Sequence, residues 1–222
     1  MEGRCLRILA TADFHGNVEA FRKASAKAKK IAADVVVVCG DITHFGSLQQ
    51  AEELLSAFDS CPVLFVPGNC DPPALTGSEL EYAESIHGQC RNISNLTFIG
   101  LGGSSPSPFD TPFELSEAEI AGLLEQSRRA CRTIDTMILV SHPPPRNTKL
   151  DRTSTGEHVG SFSVREFIER VKPALVLCGH IHEAVGMDKI GRTTIVNPGP
   201  ARHGYCAVME INEGIDVELG KL

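Results

Sequence analysis

The chain has 222 residues, of which 42% are hydrophobic and 22% charged, and its formal net charge is -7 at pH 7. This is the composition of a globular protein, and a chain of this length can build a core without disulfides. Binding to nucleic-acid phosphates needs clustered Lys and Arg, and the sequence has no long basic run. A generic nucleic-acid partner is therefore not expected.

The amino-terminal segment does not have the pattern of a secretory signal. Its apolar run breaks at Asp13, which leaves it too short for the hydrophobic region of a signal peptide. The longest purely apolar stretch, Val35–Val38, is far shorter than a membrane span. These features predict a cytoplasmic protein that has no membrane partner.

Eight cysteines are spread along the chain, and no two of them have the Cys-x-x-Cys spacing of zinc sites. In a cytoplasmic protein they are expected to be reduced and to behave as small hydrophobic side chains. Their positions are Cys5, Cys39, Cys61, Cys70, Cys90, Cys131, Cys178 and Cys206.

The first third of the chain alternates predicted strands and helices. The apolar segments CLRILATAD, ADVVVVCGD and PVLFVPGNCD each predict a buried strand that ends in a loop. Between them, Asn17 is the predicted N-cap of one helix, and a capping box of Ser47 with Gln50 opens another. This β-α-β-α-β order predicts a parallel sheet with crossover helices.

The rest of the chain has the same kind of elements at wider spacing. Residues 102–113 are rich in Gly, Ser and Pro and predict a surface loop. Further strands are predicted in LTFIGLGG, TMILVSHPPP, ALVLCGHIH, TTIVNPG, YCAVMEI and VEL. Two more capping boxes predict helix starts, at Ser116 with Glu119 (a helix to about Cys131) and at Ser163 with Glu166. No change in composition marks a boundary, so a single domain over residues 1–222 is expected.

Five of the predicted strands end in a loop that carries an Asp, Asn or His. In open α/β sheets, ligands bind beyond the carboxyl ends of the strands, so these side chains are expected to meet at one edge. The seven candidates are Asp13, His15, Asp41, Asn69, His142, His180 and His182.

Carboxylate, amide and imidazole donors together suit Mn, Fe, Co, Ni or Zn better than Mg or Ca alone. Asp13 with His15, and His180 with His182, are each two residues apart. In an extended segment both members of such a pair point to one side and can reach one centre. Seven ligands are about the number that two metal ions require.

Each motif taken alone is weak, because an isolated Asp-x-His or Gly-Asp is more often a cap or a turn. A single His at a strand end is usually a hydrogen-bonded core residue. However, four of the eight histidines in the chain belong to this one set. It is the joint pattern that favours a metal site.

The ordered series DFHGN, GD, GNCD, SHPPP and GHIH resembles the calcineurin-like metallophosphoesterases, from Asp13 to about Gly199. That resemblance implies an α/β fold in which two β-sheets pack as a sandwich flanked by helices. It also implies two divalent metal ions, with manganese favoured and Fe, Zn, Ni or Co as alternatives. One ion would be held by Asp13, His15, Asp41 and His182, and the other by Asp41, Asn69, His142 and His180.

The function implied is hydrolysis of a phosphodiester or a phosphomonoester in a small substrate, through a hydroxide that bridges the two metals. A phosphodiesterase is favoured, because the GNCD variant resembles a branch of small bacterial and archaeal members with that activity. The alternative is a non-catalytic interaction scaffold, since the small retromer subunit resembles this fold and has a defective metal site. A homo-oligomer is compatible with the sequence.

Three further residues are expected near the site. His44 follows Asp41 by three residues, and Arg146 opens the segment 146–160, which also contains Lys149, Arg152 and His158. That segment is either a lid with phosphate-binding cations or a solvated loop.

Cys70 stands where many members of the resembling family have a His that acts near the leaving group. A nearby dication is expected to lower the pKa of Cys70 and to favour its thiolate, which has no proton to give. The alternative is that Cys70 only fills a tight turn.

Overall fold

A computed structural model describes residues 5–78, 80, 83–132 and 136–222, which form two six-stranded sheets. In spatial order, the first sheet contains β12 (Ile215–Lys221), β11 (Tyr205–Ile211), β1 (Leu6–Thr11), β2 (Val35–Val38), β3 (Val63–Phe65) and β4 (Ala83–Ser85). The second contains β5 (Cys90–Ile93), β6 (Leu96–Leu101), β7 (Thr136–Ser141), β8 (Leu175–Leu177), β10 (Thr193–Asn197) and β9 (Gly186–Ile190).

The strands that matter for the site are parallel neighbours. In the first sheet β1, β2 and β3 run in one direction, with Ile8 opposite Val35 and Val36 opposite Val63. In the second sheet β6, β7 and β8 also run parallel to one another. Each group therefore presents its carboxyl ends at a single sheet edge.

Four α-helices lie in the described part of the chain: α1 (Val18–Lys30), α2 (Leu48–Leu55), α3 (Glu117–Ala130) and α4 (Phe162–Val171). The predicted N-caps of the first three are confirmed, because Asn17, Ser47 and Ser116 each accept a hydrogen bond from the third residue after them. Ser116 and Glu119 form the full reciprocal capping box.

The predicted start of α4 is wrong by two residues. Ser161, and not Ser163, is the N-cap, since its side chain accepts from the amide of Val164. The hydroxyl of Ser163 donates instead to the carbonyl oxygen of Glu117 on α3, and the Glu117 carboxylate accepts from the amide of Ser163. The contact with Glu117 thus engages Ser163, the residue that the local sequence pattern predicted as the N-cap.

Three apolar clusters order these elements into four layers. One cluster lies between the two sheets and includes Ile8, Val37, Phe98, Val140 and Leu177. A second joins the outer face of the first sheet to α1 and α2, and a third joins the outer face of the second sheet to α3 and α4. The predicted sandwich of two sheets flanked by helices is confirmed, whereas the single-domain assignment stays a prediction.

The sequence patterns missed the short strands β4, β5 and β9. They also missed a disulfide, because Cys90 on β5 and Cys131 at the end of α3 are bonded with their Cα atoms 5.4 Å apart. The expectation that all eight cysteines are reduced is therefore wrong for this pair. Fold geometry brings together two residues that are 41 positions apart in sequence. Among the described residues, no helix has the length and apolar character that crossing a membrane requires.

Candidate metal centre

The loops after β1, β2, β3, β7 and β8 meet at one edge of the sandwich. The amide of Asp13 donates to the Gly40 carbonyl oxygen at 3.0 Å, and the amide of His15 to that of Asp41 at 2.8 Å. The amide of His180 donates to the Asp13 carboxylate at 3.1 Å, which joins the two sheets. All seven predicted ligand residues lie on these loops.

Two glycines allow the loops to come this close. A Cβ atom at Gly40 would lie 2.4 Å from Nδ1 of His142, and one at Gly68 would lie 2.1 Å from Oδ1 of Asp41. Gly40 also has a φ of 92°, which side chains other than glycine rarely adopt. The glycines of the GD and GNCD motifs are therefore steric requirements of the site.

Four of the seven candidates have left-handed backbone conformations: Asp13 (φ 56°), His15 (φ 46°), Asp41 (φ 52°) and His180 (φ 70°). The expected extended geometry of the Asp13–His15 and His180–His182 pairs is therefore wrong. A non-glycine residue in this region costs about 1 kcal/mol or more, and such strain gathers at functional sites. The tight turns aim the side chains inward, which an extended segment at the same place would not do.

Asp13, His15, Asp41 and His182 form the first group, in which one donor atom from each lies within 4.8 Å of the others. The Nε2 atoms of His15 and His182 are 3.0 Å apart. Oδ2 of Asp41 lies 3.5 Å from the former, and Oδ1 of Asp13 lies 3.5 Å from the latter. This is the set that the family resemblance implies for one metal ion.

Asp41 also borders the second group. Nε2 of His142 lies 3.5 Å from Oδ1 of Asp41 and 2.9 Å from Oδ1 of Asn69. The ring centroids of His142 and His180 are 5.0 Å apart. The two oxygens of Asp41 thus point into different groups, as a carboxylate that bridges two ions would.

The hydrogen bonds of His142 test whether a cation fits. Nδ1 of His142 lies 2.7 Å from the carbonyl oxygen of Cys39, an acceptor, so Nδ1 donates to it. Nε2, on the other side of the ring, faces Oδ1 of Asn69 at 2.9 Å and Oδ1 of Asp41 at 3.5 Å. An imidazole nitrogen, an amide oxygen and a carboxylate oxygen at these positions are a donor set that fits a divalent metal ion.

Two buried atoms support the same interpretation of the first group. Oδ2 of Asp13 and Nδ1 of His15 are buried and have no hydrogen-bond partner among the described residues. Burial lowers the pKa of His15 to about 3 and that of His180 to about 3, so both rings are neutral and have a lone pair to donate. Burial raises the pKa of Asp41. A cation would satisfy all of these groups together.

Asp71 and Cys70 of the GNCD turn make different contacts. The carboxylate of Asp71 accepts from the amides of Ile42 (3.0 Å), Thr43 (2.7 Å) and Gly68 (2.8 Å), and from the hydroxyl of Thr43 (2.8 Å). Asp71 therefore fixes the loop after β2 against the loop after β3. Cys70 uses its amide to donate to Oδ1 of Asp41 at 2.9 Å.

The thiol of Cys70 lies close to the first group, because it forms a cluster of donor atoms with His15 and His44. The exposed ring of His44 packs edge-on against His15, with centroids 5.4 Å apart. Burial and the neighbouring Asp41 raise the pKa of Cys70, so without a metal ion Cys70 is a thiol. The expected thiolate depended on the charge of a bound dication, and the carboxylates by themselves have the opposite effect.

Hydrogen bonds and one stacking contact hold the segment 146–160 in place. The buried carboxylate of Asp151 accepts from the amides of Asn147, Thr148 and Gly160 and from the ring of His158. The guanidinium of Arg146 stacks on the ring of Phe162, 4.4 Å from its centroid. These contacts show an ordered loop in which the Arg146 side chain is engaged with an aromatic ring.

Sequence reasoning missed Arg202, the cation that does contact a candidate ligand. Its Nη2 atom lies 3.1 Å from Nδ1 of His182. Arg202 is on a short 3-10 turn, Ala201–His203, that follows the NPG segment and precedes β11. The only sequence signal was a basic residue shortly after NPG, and nothing local indicates that this turn lies against β1.

Comparisons with known proteins agree with this geometry. Residues 6–184, which include all seven candidate ligands, match the calcineurin-like phosphoesterase family. An uncharacterised protein of Methanocaldococcus jannaschii is 39% identical over 200 residues, which cover 88% of this chain and 88% of that protein. A dimetal phosphatase from Danio rerio superposes with a TM-score of 0.66 at 14% identity, covering 97% and 96% of the two chains. An archaeal phosphodiesterase superposes with a TM-score of 0.59 at 14% identity, covering 98% and 100%.

Proposed function

The chain belongs to the calcineurin-like phosphoesterase family, and from this membership and the geometry of its site we propose that it hydrolyses a phosphodiester at a centre of two divalent metal ions. The proposed substrate is a small phosphoester, and manganese is the favoured metal. A cytoplasmic location remains part of the proposal. Hydrolysis of a phosphomonoester is the second activity that the same centre supports.

One observation carries the proposal: the carboxylate of Asp41 lies between two groups of metal-type donors. Its Oδ2 is 3.5 Å from Nε2 of His15, and its Oδ1 is 3.5 Å from Nε2 of His142. Nε2 of His142 also faces Oδ1 of Asn69 at 2.9 Å, and Oδ2 of the neighbouring Asp13 is buried without a hydrogen-bond partner among the described residues. Two cations, one in each group, would satisfy these donors together.

When bound, two divalent ions supply Lewis acidity to a phosphoryl oxygen and lower the pKa of a water molecule. The chain fixes their ligands. Asp41 orients one oxygen toward each group, and its Oδ1 is held by the amide of Cys70. Asp13 is oriented by the amide of His180, and His142 by the carbonyl oxygen of Cys39.

The charges of the ligands favour an anionic substrate. Asp13 and Asp41 contribute two negative charges, and the other five candidates are neutral as ligands. With two dications the centre keeps a net positive charge inside a chain whose formal net charge is -7. A local positive centre attracts a phosphate group without a basic surface.

Two observations support a diester as the substrate. A structural neighbour over the full chain is an archaeal phosphodiesterase. Position 70 is a cysteine where many members of the resembling family have a His near the leaving group, so diesters with activated leaving groups are favoured over alkyl monoesters.

The test is metal uptake with a matched activity screen. The purified protein is stripped with a chelator and reloaded with Mn, Ni, Co or Zn, and bound metal is counted by plasma mass spectrometry. Each form is assayed with an aryl phosphodiester and an aryl phosphomonoester. We expect up to two ions per chain and faster hydrolysis of the diester.

A protein that binds two ions and hydrolyses none of these esters would contradict the proposal and favour a non-catalytic scaffold. A protein that binds no metal would contradict the metal centre itself.

A further inference from the structure

We propose that Arg202 is a phosphate-binding residue of this site, which holds a non-bridging oxygen of the substrate's phosphoryl group. This inference rests on the proposed function and adds a residue that lies outside the matched family region, residues 6–184. Three features of the structure support it: the placement of the Arg202 turn, the hydrogen bonds of His182, and the charge around the guanidinium.

The turn that carries Arg202 is fixed against the ligand loops on both sides. The amide of Ala201 donates to the carbonyl oxygen of Ala12 at 2.8 Å, and the amide of Arg202 to that of Asp13 at 3.4 Å. The side chain of Asn197 donates to the carbonyl oxygen of Ile181 at 2.9 Å and accepts from the amide of Gly199 at 2.9 Å. The backbone of Arg202 is therefore held between the loop of Asp13 and the loop of His182.

The contact between Arg202 and His182 is compatible with only one state of the ring. An arginine only donates, so Nδ1 of His182 accepts from Nη2 of Arg202, and the ring proton is on Nε2. The 3.1 Å contact places the guanidinium directly beside a candidate metal ligand. If a metal ion were held at Nε2 of His182, the ring proton would lie on Nδ1, and Arg202 would lose this acceptor and be able to bind another.

The charge around the Arg202 guanidinium favours an anionic ligand. In the described part of the chain no acidic side chain forms an ion pair with Arg202, and its Nε is buried without a hydrogen-bond partner. At a centre that holds divalent ions, an anionic ligand would stabilise this half-buried guanidinium. The planar fork of arginine matches two phosphoryl oxygens, and a lysine ammonium does not.

The probe in the experiment is inorganic phosphate, which has the same non-bridging oxygens as the phosphoryl group of the substrate. Arg202→Ala, Arg202→Lys and wild type are loaded with manganese, bound metal is counted, and phosphate binding is followed by calorimetry. Arg192→Ala, at an exposed arginine on the turn between β9 and β10, is the control for loss of one positive charge. A charge-assisted hydrogen bond predicts that Arg202→Ala weakens phosphate binding about 10- to 100-fold with metal content unchanged. Arg202→Lys should bind with intermediate affinity, and Arg192→Ala like wild type.

Two results would overturn the assignment while leaving the proposed function intact. If Arg202→Ala and Arg202→Lys bind metal and phosphate as wild type does, Arg202 does not touch the phosphate. If both variants lose metal in proportion to phosphate, Arg202 acts only through His182. Circular dichroism of each variant checks that it is folded. A wild-type protein that takes up no metal and binds no phosphate would refute the proposed function and this inference together.

Discussion

Two regions of the molecule contain buried carboxylates, and they use them in opposite ways. At the ligand edge, Asp13 and Asp41 are buried with few donors, and Oδ2 of Asp13 has no hydrogen-bond partner among the described residues. In the loops after β3 and β7, Asp71 and Asp151 are equally buried, but each accepts at least four hydrogen bonds. The number of donors, and not burial, separates the two pairs.

The difference in the number of donors changes how each carboxylate affects the stability of the fold. A buried carboxylate that is fully hydrogen-bonded stabilises the loop around it, because each donor is satisfied as well. A buried carboxylate with few donors, such as Asp41, destabilises the metal-free protein, and burial accordingly raises the pKa of Asp41. Burial also raises the pKa of Asp13, but the neighbouring histidines outweigh this and lower it. Burial and the nearby Asp41 raise the pKa of Asp71 to about 6, so its hydrogen bonds fix the loops without fully offsetting the burial of its charge. Asp41 is therefore the carboxylate that is expected to depend most on a cation.

The largest effect is expected for Asp41→Asn. The amide keeps an oxygen to accept from Cys70 but loses the charge that both metal groups share. We expect metal affinity to fall and kcat/KM for an aryl diester to fall by about 10²- to 10³-fold. The free energy of unfolding of the chelator-treated protein should be unchanged or higher, because a buried charge is removed.

Asn69→Ala is the matched comparison, since Asn69 is a neutral ligand of one group only. It should lose less metal than Asp41→Asn, as measured by metal content and by activity. Equal metal content and activity in wild type and Asp41→Asn would refute the bridging role.

Asp71→Asn makes the same chemical change at a carboxylate that is fully hydrogen-bonded. It is expected to lower the stability of the metal-free protein, which Asp41→Asn is not. Its new amide group would face the amides of Ile42 and Gly68, donor against donor. We expect the chelator-treated protein to lose about 2 to 4 kcal/mol of unfolding free energy in a urea titration. If Asp71→Asn is as stable as Asp41→Asn under these conditions, the distinction between the two regions fails.

The sequence could predict that the seven candidate ligands meet at one edge, because the signal for this placement is local. Each ligand follows directly after an apolar strand, and parallel strands present their carboxyl ends together. The same reasoning could not separate Asp71 from Asp41, because both are acidic residues in loops after strands. Only the donors that surround a carboxylate in three dimensions distinguish them.

The features that the sequence did not predict depend on contacts between distant parts of the chain. Arg202 meets His182 because β11 returns beside β1, a pairing of segments that are about two hundred residues apart in sequence. The cap of α4 moved to Ser161 because Glu117 on another helix engages Ser163. Neither contact has a periodicity or a spacing that a single sequence displays.

A smaller effect is expected from Glu114, a less buried carboxylate that also has many donors. Burial raises its pKa, but hydrogen bonds from Ser107 and Thr111 outweigh this and lower the pKa to about 2, from 4.5. Because the folded state holds the proton less tightly than the unfolded state, the stabilisation is complete above about pH 4.5. It is lost as the pH falls toward 2. The stability difference between wild type and Glu114→Gln should therefore shrink over this range in urea titrations, whereas Glu213→Gln, at an exposed carboxylate, should show no such trend. A difference that stays constant with pH would mean that these hydrogen bonds do not depend on the charge.

The smallest change in diester hydrolysis is expected at Cys70, where the backbone and the side chain have separate roles. Its amide donates to Asp41 and its carbonyl oxygen accepts from the amide of Phe45, and substitution by Ser, Ala or His keeps both backbone groups. Cys70→Ser and Cys70→Ala should therefore retain metal and most aryl diesterase activity. Cys70→His would restore an imidazole beside the centre, and its activity on alkyl phosphomonoesters relative to aryl diesters should rise by about tenfold or more, because alkoxide leaving groups need a proton. The measurement is the ratio of kcat/KM for the two substrates at matched metal content. If Cys70→Ala is inactive with both metal ions bound, the thiol itself takes part in the reaction. In that case the thiol of Cys70 would be the proton donor to the leaving group in the wild-type chain.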